Sequence, residues 1–295
     1  MPVQEPLIRN ISDTALWAAV YRARETERPD PIFRDPFARK LAGERGEQIA
    51  RSMPFSEKHA WSWVARTYLF DTLLLQLIAN GADIVINLAA GLDARPYRLD
   101  LPPRLQWIEV DLPEILKYKQ LILASAKPKS LLERIALDLS DVPARRELFV
   151  DLAKRARAAV IITEGLLVYL GRDGVASLAQ DLAAPAAFTN WLLDIASPGL
   201  LNLMQKNMGS HLEQSGSPLK FAPAEGPEFF TPYGWRPVEV RSFLKTAAKL
   251  GRLALWMKLL SLLPESNGKQ GSRPWSAVCR LEKVQSTSSN SLQLS

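Results

Sequence analysis

The chain of 295 residues has one cysteine and two histidines. A single thiol, Cys279, excludes an intrachain disulfide framework and any cysteine cluster that holds a metal, and no metal site is read from the sequence. It fits a reducing compartment, so a cytoplasmic location is expected. Long apolar runs are missing too. Leu73–Ile78 and Ile84–Leu92 are separated by Asn80, Gly81 and Asp83, while Leu253–Leu263 is short and interrupted by Lys258. No membrane-spanning segment is expected, and no basic segment leads into an apolar core at the N-terminus, so no secretory signal is expected. No repeat at solenoid spacing is visible. The net charge is +6, but bases alternate with acids, as in Arg22-Ala23-Arg24-Glu25-Thr26-Glu27-Arg28. This reads as a solvated surface, with neither nucleic acid nor membrane as partner.

What is present is an α/β rhythm. Asp13–Arg24 keeps Leu16, Ala19, Val20 and Ala23 on one helical face, with Ser12 or Asp13 as its cap. Pro29, Pro31 and Pro36 break the chain, and helices resume over Phe37–Ile49 and Trp61–Ala79. After Gly81 the pattern changes. Short apolar runs at Asp83–Leu88, Gln106–Val110, Arg134–Leu137, Ala159–Thr163 and Thr189–Ile195 alternate with helical stretches at Glu114–Leu123, Ala144–Arg155 and Arg172–Leu182. That alternation predicts a parallel sheet with right-handed crossovers. Residues 197–228 lack clean periodicity apart from a short helix at Leu200–Met208. Val238–Leu250 then reads as a helix, Leu253–Lys258 as strand or helix, Trp275–Leu281 as a last strand, and Ser286–Ser295 as a polar tail. The expected division is a helical cap over 1–80, a core over 81–195, a lid insertion over 196–230, completion of the sheet over 231–284, and the tail from 285.

Four segments at strand ends carry candidate chemistry. Asn87-Leu88-Ala89-Ala90-Gly91-Leu92-Asp93-Ala94-Arg95 follows the first buried strand, where small residues let a ligand approach the backbone. It holds one glycine of the three in GxGxxG, so it is a poor pyrophosphate cradle and reads equally as an ordinary strand-to-helix turn. Twenty positions after Gly91, Asp111 ends the second strand, where a carboxylate can accept both hydroxyls of a ribose or cap the next helix. Asp138 and Leu139 after the third strand suit an adenine amine and ring, or a simple loop cap. Glu164, followed by Gly165, ends the fourth strand and faces the crevice at the sheet's carboxyl edge.

Together these stretches resemble the leucine carboxyl methyltransferase-like family, including its bacterial branch of O-methyltransferases. The resemblance spans about residues 8 to 240. It is carried by Ser12-Asp13-Thr14-Ala15 with Tyr21-Arg22-Ala23, by Phe33-Arg34-Asp35-Pro36-Phe37-Ala38, and by Ala65-Arg66-Thr67 with Asp71. Asn87–Leu99, Val110-Asp111-Leu112-Pro113 with Lys119, Thr163–Leu170 and Gly234-Trp235 extend it. One departure is alanine at 89 or 90, where the family usually has glycine. The resemblance implies a Rossmann-like class I methyltransferase fold: a mostly parallel seven-stranded sheet with an antiparallel last strand, N-terminal helices and a lid insertion.

It also implies S-adenosyl-L-methionine as cofactor. Arg66 would pair with the methionine carboxylate. Asn87, Ala89 and Gly91 would lie under the methionyl and ribose part, and Asp111 with Leu112 would hold the ribose. Asp138 and Leu139 would frame the adenine, and Glu164 would stand near the cofactor's positive charge. The implied activity is O-methylation of a carboxylate or hydroxyl on a small molecule, by a monomer or homodimer. Methylation of a protein C-terminal carboxylate is an alternative. A nicotinamide-dependent oxidoreductase is another, disfavoured by the missing glycines. A carboxylate acceptor needs no base, whereas a hydroxyl does. Tyr169 and His211 are the catalytic candidates, ahead of His59. Trp17, Tyr21, Trp191 and Trp235 are either pocket walls or core.

Overall fold

The run after Gly81 forms a strand whose five residues, β1 (Ile84–Leu88), are all buried. A strand with no wet face belongs in the middle of a parallel sheet covered on both sides by helices. The computed structural model describes residues 13–214, 216–264, 271 and 273–284. Four helices come first: α1 (Asp13–Thr26), α2 (Ala38–Ser52), α3 (Pro54–Lys58) and α4 (Ala60–Ala79). After β1 come α5 (Arg95–Arg98), β2 (Gln106–Asp111), α6 (Pro113–Ile122), β3 (Leu131–Ala136), α7 (Val142–Arg155), β4 (Ala159–Thr163), α8 (Arg172–Ala183) and β5 (Phe188–Ala196). The chain ends with α9 (Pro198–Gln214), a 3₁₀ segment (Gly226–Tyr233), β6 (Trp235–Ser242), α10 (Phe243–Lys249), α11 (Leu255–Ser261) and β7 (Ser276–Lys283).

The seven strands form one sheet in the order β3-β2-β1-β4-β5-β7-β6. Strands β1 to β5 pair in parallel, and β7 lies antiparallel between β5 and β6. The expected mostly parallel sheet with an antiparallel last strand is therefore present. On one face Trp191 and Trp235 meet edge-on at 5.5 Å over a core that includes Phe149 and Phe188. On the other, α4 and α10 cover Val85, Trp107, Val160 and Leu192. A third cluster joins α1 and α2 to α6 and α9 above the sheet's carboxyl edge.

Two expectations change, and one open alternative is decided. Val238–Leu250 is not one helix, because β6 runs to Ser242 and α10 starts at Phe243. Val238 and Val240 alternate with Glu239 and Arg241, a two-residue period that suits a strand, and the Ser242 hydroxyl accepts the Lys245 N–H as a helix cap. The short helix expected at Leu200–Met208 is the 17-residue α9, capped by Ser197 Oγ on the Leu200 N–H with Pro198 at its first position. Of the strand-or-helix alternatives at Leu253–Lys258, residues 255–258 are helix, in α11. The cap expected at Ser12 and the tail at Ser286–Ser295 fall outside the described residues. Among the described residues no helix is long and apolar enough to cross a membrane.

Lys119, one of the motif residues, is fully buried with its Nζ 2.6 Å from Glu109 Oε1, itself fully buried. Arg134 Nε holds the other Glu109 oxygen at 2.8 Å and donates through Nη2 to the Tyr97 hydroxyl. Removing one partner of such a pair leaves a buried charge without compensation. Glu109→Gln should therefore lower the unfolding free energy by about 3–5 kcal/mol in denaturant titration. A loss below about 1 kcal/mol would show the pair to be solvated in solution.

Candidate active site

Where β1 ends, the chain turns through two residues of left-handed backbone, Ala89 (φ 52°) and Gly91 (φ 47°). Among the described residues Ala89 is the one non-glycine residue with positive φ, and it is one of the two alanines, 89 or 90, that stand where the resemblance implies a glycine. An alanine there carries a steric penalty of about 1–2 kcal/mol that glycine would not. The left-handed backbone at Gly91 leaves its N–H to be taken by Asp111 Oδ2, at 2.6 Å. The other Asp111 oxygen accepts the Leu112 N–H at 2.7 Å. Two neighbouring strands thus bring the first and second sequence motifs into direct contact.

The third strand does not join them. Asp138 is exposed and accepts the Ser140 N–H, while Leu139 packs into the lower core; neither lines the cavity described below. The reason is position: β3 is the edge strand, so its loop meets solvent. Leu112 likewise turns its side chain into the cluster beneath α1 and α6.

The fourth strand does join them. Glu164 Oε1 lies 3.0 Å from Arg66 Nε, and Oε2 lies 2.8 Å from Arg95 Nη1. Arg66 projects from α4, its guanidinium 4.6 Å over the Trp63 ring and 3.6 Å from Asp194 Oδ2. The buried Arg66 Nε–H is not aligned to donate to any acceptor, its ion pair notwithstanding. Gly165 is needed beside it, because a Cβ at φ 69° would stand 3.2 Å from Arg66 Nη1. The Gly165 N–H donates to Asp194 Oδ1 at 2.7 Å.

Asp194, near the end of β5, was missed as a site residue. In sequence it is one acid within an apolar strand, Trp191-Leu192-Leu193-Asp194-Ile195, and an unpaired acid in a buried strand was the available signal. Arg95 is the other omission. Buried at the start of α5, it donates to Asp71 at 2.6 Å and Asp93 at 2.8 Å, while Arg98 grips both Asp71 oxygens at 2.7 Å. The Asp93 carboxylate also accepts from the Asn87 amide at 2.8 Å. Burial opposes its ionisation, but Arg95, Lys119 and Arg98 outweigh that and hold its pKa at about 2.

These groups floor a cavity of about 670 Å³, within the roughly 300–1,000 Å³ typical of small-molecule sites. Arg66, Asn87, Ala89, Gly91, Asp111, Glu164, Tyr169 and Asp194 all line it. The walls are apolar, from α1 (Trp17), α4 (Trp61, Trp63) and α9 (Leu203, Met204, Met208). Of the four aromatics flagged in the sequence, Trp17 lines the cavity. Tyr21 stacks on Trp63 at 5.4 Å, and Trp191 and Trp235 are core. His59 lines the cavity with its Nδ1 2.7 Å from the Phe55 carbonyl oxygen. His211 belongs to α9, but its side chain lies outside the described residues. Burial pushes the Tyr169 phenol pKa up, against a hydrogen bond with Thr14 and the charge of Arg66.

The model of the family described as leucine carboxyl methyltransferase matches residues 15–183, which include Arg66, Gly91, Asp111 and Glu164 but not Asp194. The chain belongs to that family. A relative from Frankia alni, provisionally named an S-adenosyl-L-methionine-dependent methyltransferase, is 32% identical over 264 residues, covering 82% of this chain and 89% of its own. A Mycobacterium tuberculosis protein with the same provisional name is 36% identical over 177 residues, 55% of this chain and 58% of its own length. The match thus spans little more than half of the mycobacterial relative. In fold, this family member is similar to a provisionally named methyltransferase from Thermobifida fusca (TM-score 0.60, 18% identity, covering 96% and 98% of the two chains). It is also similar to a DUF574 family protein from Streptomyces avermitilis (TM-score 0.56, 14% identity, 89% and 96%). Both share the class I methyltransferase architecture. The antiparallel β7 between β5 and β6 separates it from the six-stranded dinucleotide-binding order, and with it from the oxidoreductase alternative.

Burial raises the pKa of Asp194, against Arg66 and the Gly165 N–H, and raises that of Asp111 against the Gly91 and Leu112 N–H groups. The folded chain therefore binds these protons more tightly than the unfolded one. Their stabilising effect is present below the ordinary carboxylate pKa of about 3.9 and is lost as pH rises through the folded values. Asp194→Asn should gain stability relative to the unsubstituted protein as pH rises from about 4 towards neutrality. Chemical denaturation at both ends of that range checks it, and a constant difference would refute it.

Proposed function

We propose that this protein binds S-adenosyl-L-methionine at the carboxyl edge of β1, β2, β4 and β5 and methylates a carboxylate on a small apolar acceptor. The observation that carries the reading is the convergence, in one cavity, of the Gly91–Asp111 contact with Arg66, Glu164 and Asp194. The donor set fits the cofactor group by group. The unaligned, buried Nε–H of Arg66 suits a carboxylate, Asp111 suits a ribose diol, and Glu164 with Asp194 suits an ammonium group. Ala89 and Gly91 leave the backbone open to close approach. Asp138 and Leu139 are given no role, since they stand outside the cavity.

The cofactor supplies an electrophilic methyl on a positively charged sulfur. The chain's own task is then positioning and exclusion of water. Trp17, Trp61 and the α9 residues wall the acceptor side with apolar surface, which favours a small apolar molecule over a peptide. Of the described polar groups lining the cavity, Tyr169 and Glu164 are poorly suited as bases, and His59 engages the Phe55 carbonyl oxygen through Nδ1. The Tyr169 phenol is pushed up by burial and stays protonated at neutral pH, and Glu164 is paired with two arginines. This supports an acceptor that is already ionised, with the Tyr169 hydroxyl donating to one carboxylate oxygen to orient the other.

In calorimetric titration with S-adenosyl-L-methionine, Arg66→Ala and Asp111→Ala should each weaken binding at least about tenfold, from the roughly 1.5–3 kcal/mol of a hydrogen bond to a charged group. Their thermal unfolding should stay cooperative. Unchanged affinity in both would remove the site assignment. A tritiated-methyl screen over fatty and aromatic acids, phenols and a leucine-ended peptide then tests the acceptor, and transfer to the peptide alone would favour the protein-directed reading. On the best acid, Tyr169→Phe should lower kcat about three- to tenfold, the scale of one hydrogen bond. It should leave the pH–rate profile flat above the acid's own pKa. A profile that instead loses an ionisation in the variant would make Tyr169 a base.

A further inference from the structure

Six of the eleven large apolar side chains that stand exposed among the described residues fall between Leu255 and Leu263. They belong to α11 and the turn after it, and they divide into two faces. Trp256, Leu260 and Leu263 line the mouth of the cavity. Leu255, Leu259 and Leu262 do not, yet are 84%, 69% and 79% exposed, in a stripe at positions i, i+4 and i+7. A soluble protein scatters its exposed leucines singly; a contiguous group signals a partner.

The charge of the same region indicates which partner. Residues 243–274 carry six bases and one acid, Glu265, so this stretch holds +5 of the chain's +6. The net excess of positive charge therefore lies in this stretch, while elsewhere bases and acids nearly balance. Arg252 is tied to Glu25 and Asp30, but Lys249 at the end of α10 and Lys258 on α11 are exposed beside the apolar stripe. A helix of seven residues, about 10 Å long, is far too short to span a bilayer. An apolar face with an interfacial tryptophan and flanking lysines instead matches an element that lies within a lipid headgroup layer. Two copies meeting on this face would bring like charges together, which disfavours a homodimer here.

We propose that α11 and Leu262–Pro264 form a docking element that seats the cavity mouth on an anionic lipid surface. The apolar lining continues from the mouth to the exposed stripe, so a molecule dissolved in the lipid layer reaches the cavity without crossing water. The docking itself does not depend on methyl transfer and is measured without it.

The test is co-sedimentation of the full chain with vesicles of phosphatidylcholine, with and without phosphatidylglycerol. Binding should appear with the anionic vesicles and fall as salt is raised. Leu255→Glu/Leu259→Glu/Leu262→Glu, which replaces none of the cavity-lining residues, should weaken it at least about tenfold. Lys249→Glu/Lys258→Glu should weaken it by at least about fivefold per lost charge, the factor that corresponds to about 1 kcal/mol. Circular dichroism melts should match the unsubstituted protein in both. Protein left in the supernatant with anionic vesicles overturns the proposal, as does a triple variant that sediments as fully as the parent. Sedimentation velocity showing a dimer that the triple variant breaks, without vesicle binding, overturns it in favour of a second copy.

Discussion

The site depends on a group of buried charges around Arg95 and Arg98. Each guanidinium is almost wholly removed from water, which would cost several kcal/mol without compensation. Asp71 from α4, Asp93 from the turn after β1 and Glu164 from the end of β4 supply it for Arg95. Arg98 completes the arrangement on Asp71 and lies 3.8 Å from the buried Asp35, which also holds Arg22 of α1. One cluster therefore fastens the N-terminal helices to the sheet edge. It also sets the orientation of Glu164 and, through it, of Arg66. Conversely, a loss at Asp71 would disturb the cavity floor although Asp71 does not line it.

Some groups of that floor are left incompletely satisfied by the fold. Burial raises Asp111 and Asp194, and Arg66 keeps a buried N–H unaligned. A protein selected for stability alone would remove such features, whereas a site shaped for a charged, hydroxylated ligand retains them. Above the floor the cavity is apolar, and the proposed cofactor and acceptor positions rest on this division of polar base and apolar walls. The apolar part does not stop at the mouth. It continues onto α11, within the stretch of residues 243–274 that carries most of the chain's net positive charge.

The sheet was largely legible because its strands are buried on both faces. A run such as Ile84–Leu88 has no polar alternation, and the small residues after it mark a strand-to-helix turn in any parallel sheet. Helix positions followed from the 3.6-residue period, and errors arose where that period was weak. Val238–Leu250 contains enough leucine and alanine to suggest a helix throughout, while the strand in its first part depends on pairing with β7, forty residues later. The helix expected at Leu200–Met208 starts two residues earlier, as α9, because Ser197, held by residues 273–275, caps its start.

Local sequence determined most elements of this protein and placed Gly91, Asp111 and Glu164 at strand ends on the sheet's carboxyl edge, whereas Arg66 was implied only by the family resemblance. The strand-end positions need only side-chain periodicity, small residues at turns and acids at strand ends. Tertiary structure alone decided that Asp194 joins them, that Asp138 stays in solvent at the sheet edge, and that Lys119 is a buried counterion to Glu109. It also decided that the leucines of α11 face outward rather than into a core. The reason is that burial and charge pairing depend on which segments become neighbours in space, and residues 24 to 29 positions apart, such as Asp71 and Arg95 or Gly165 and Asp194, have no local signal that joins them.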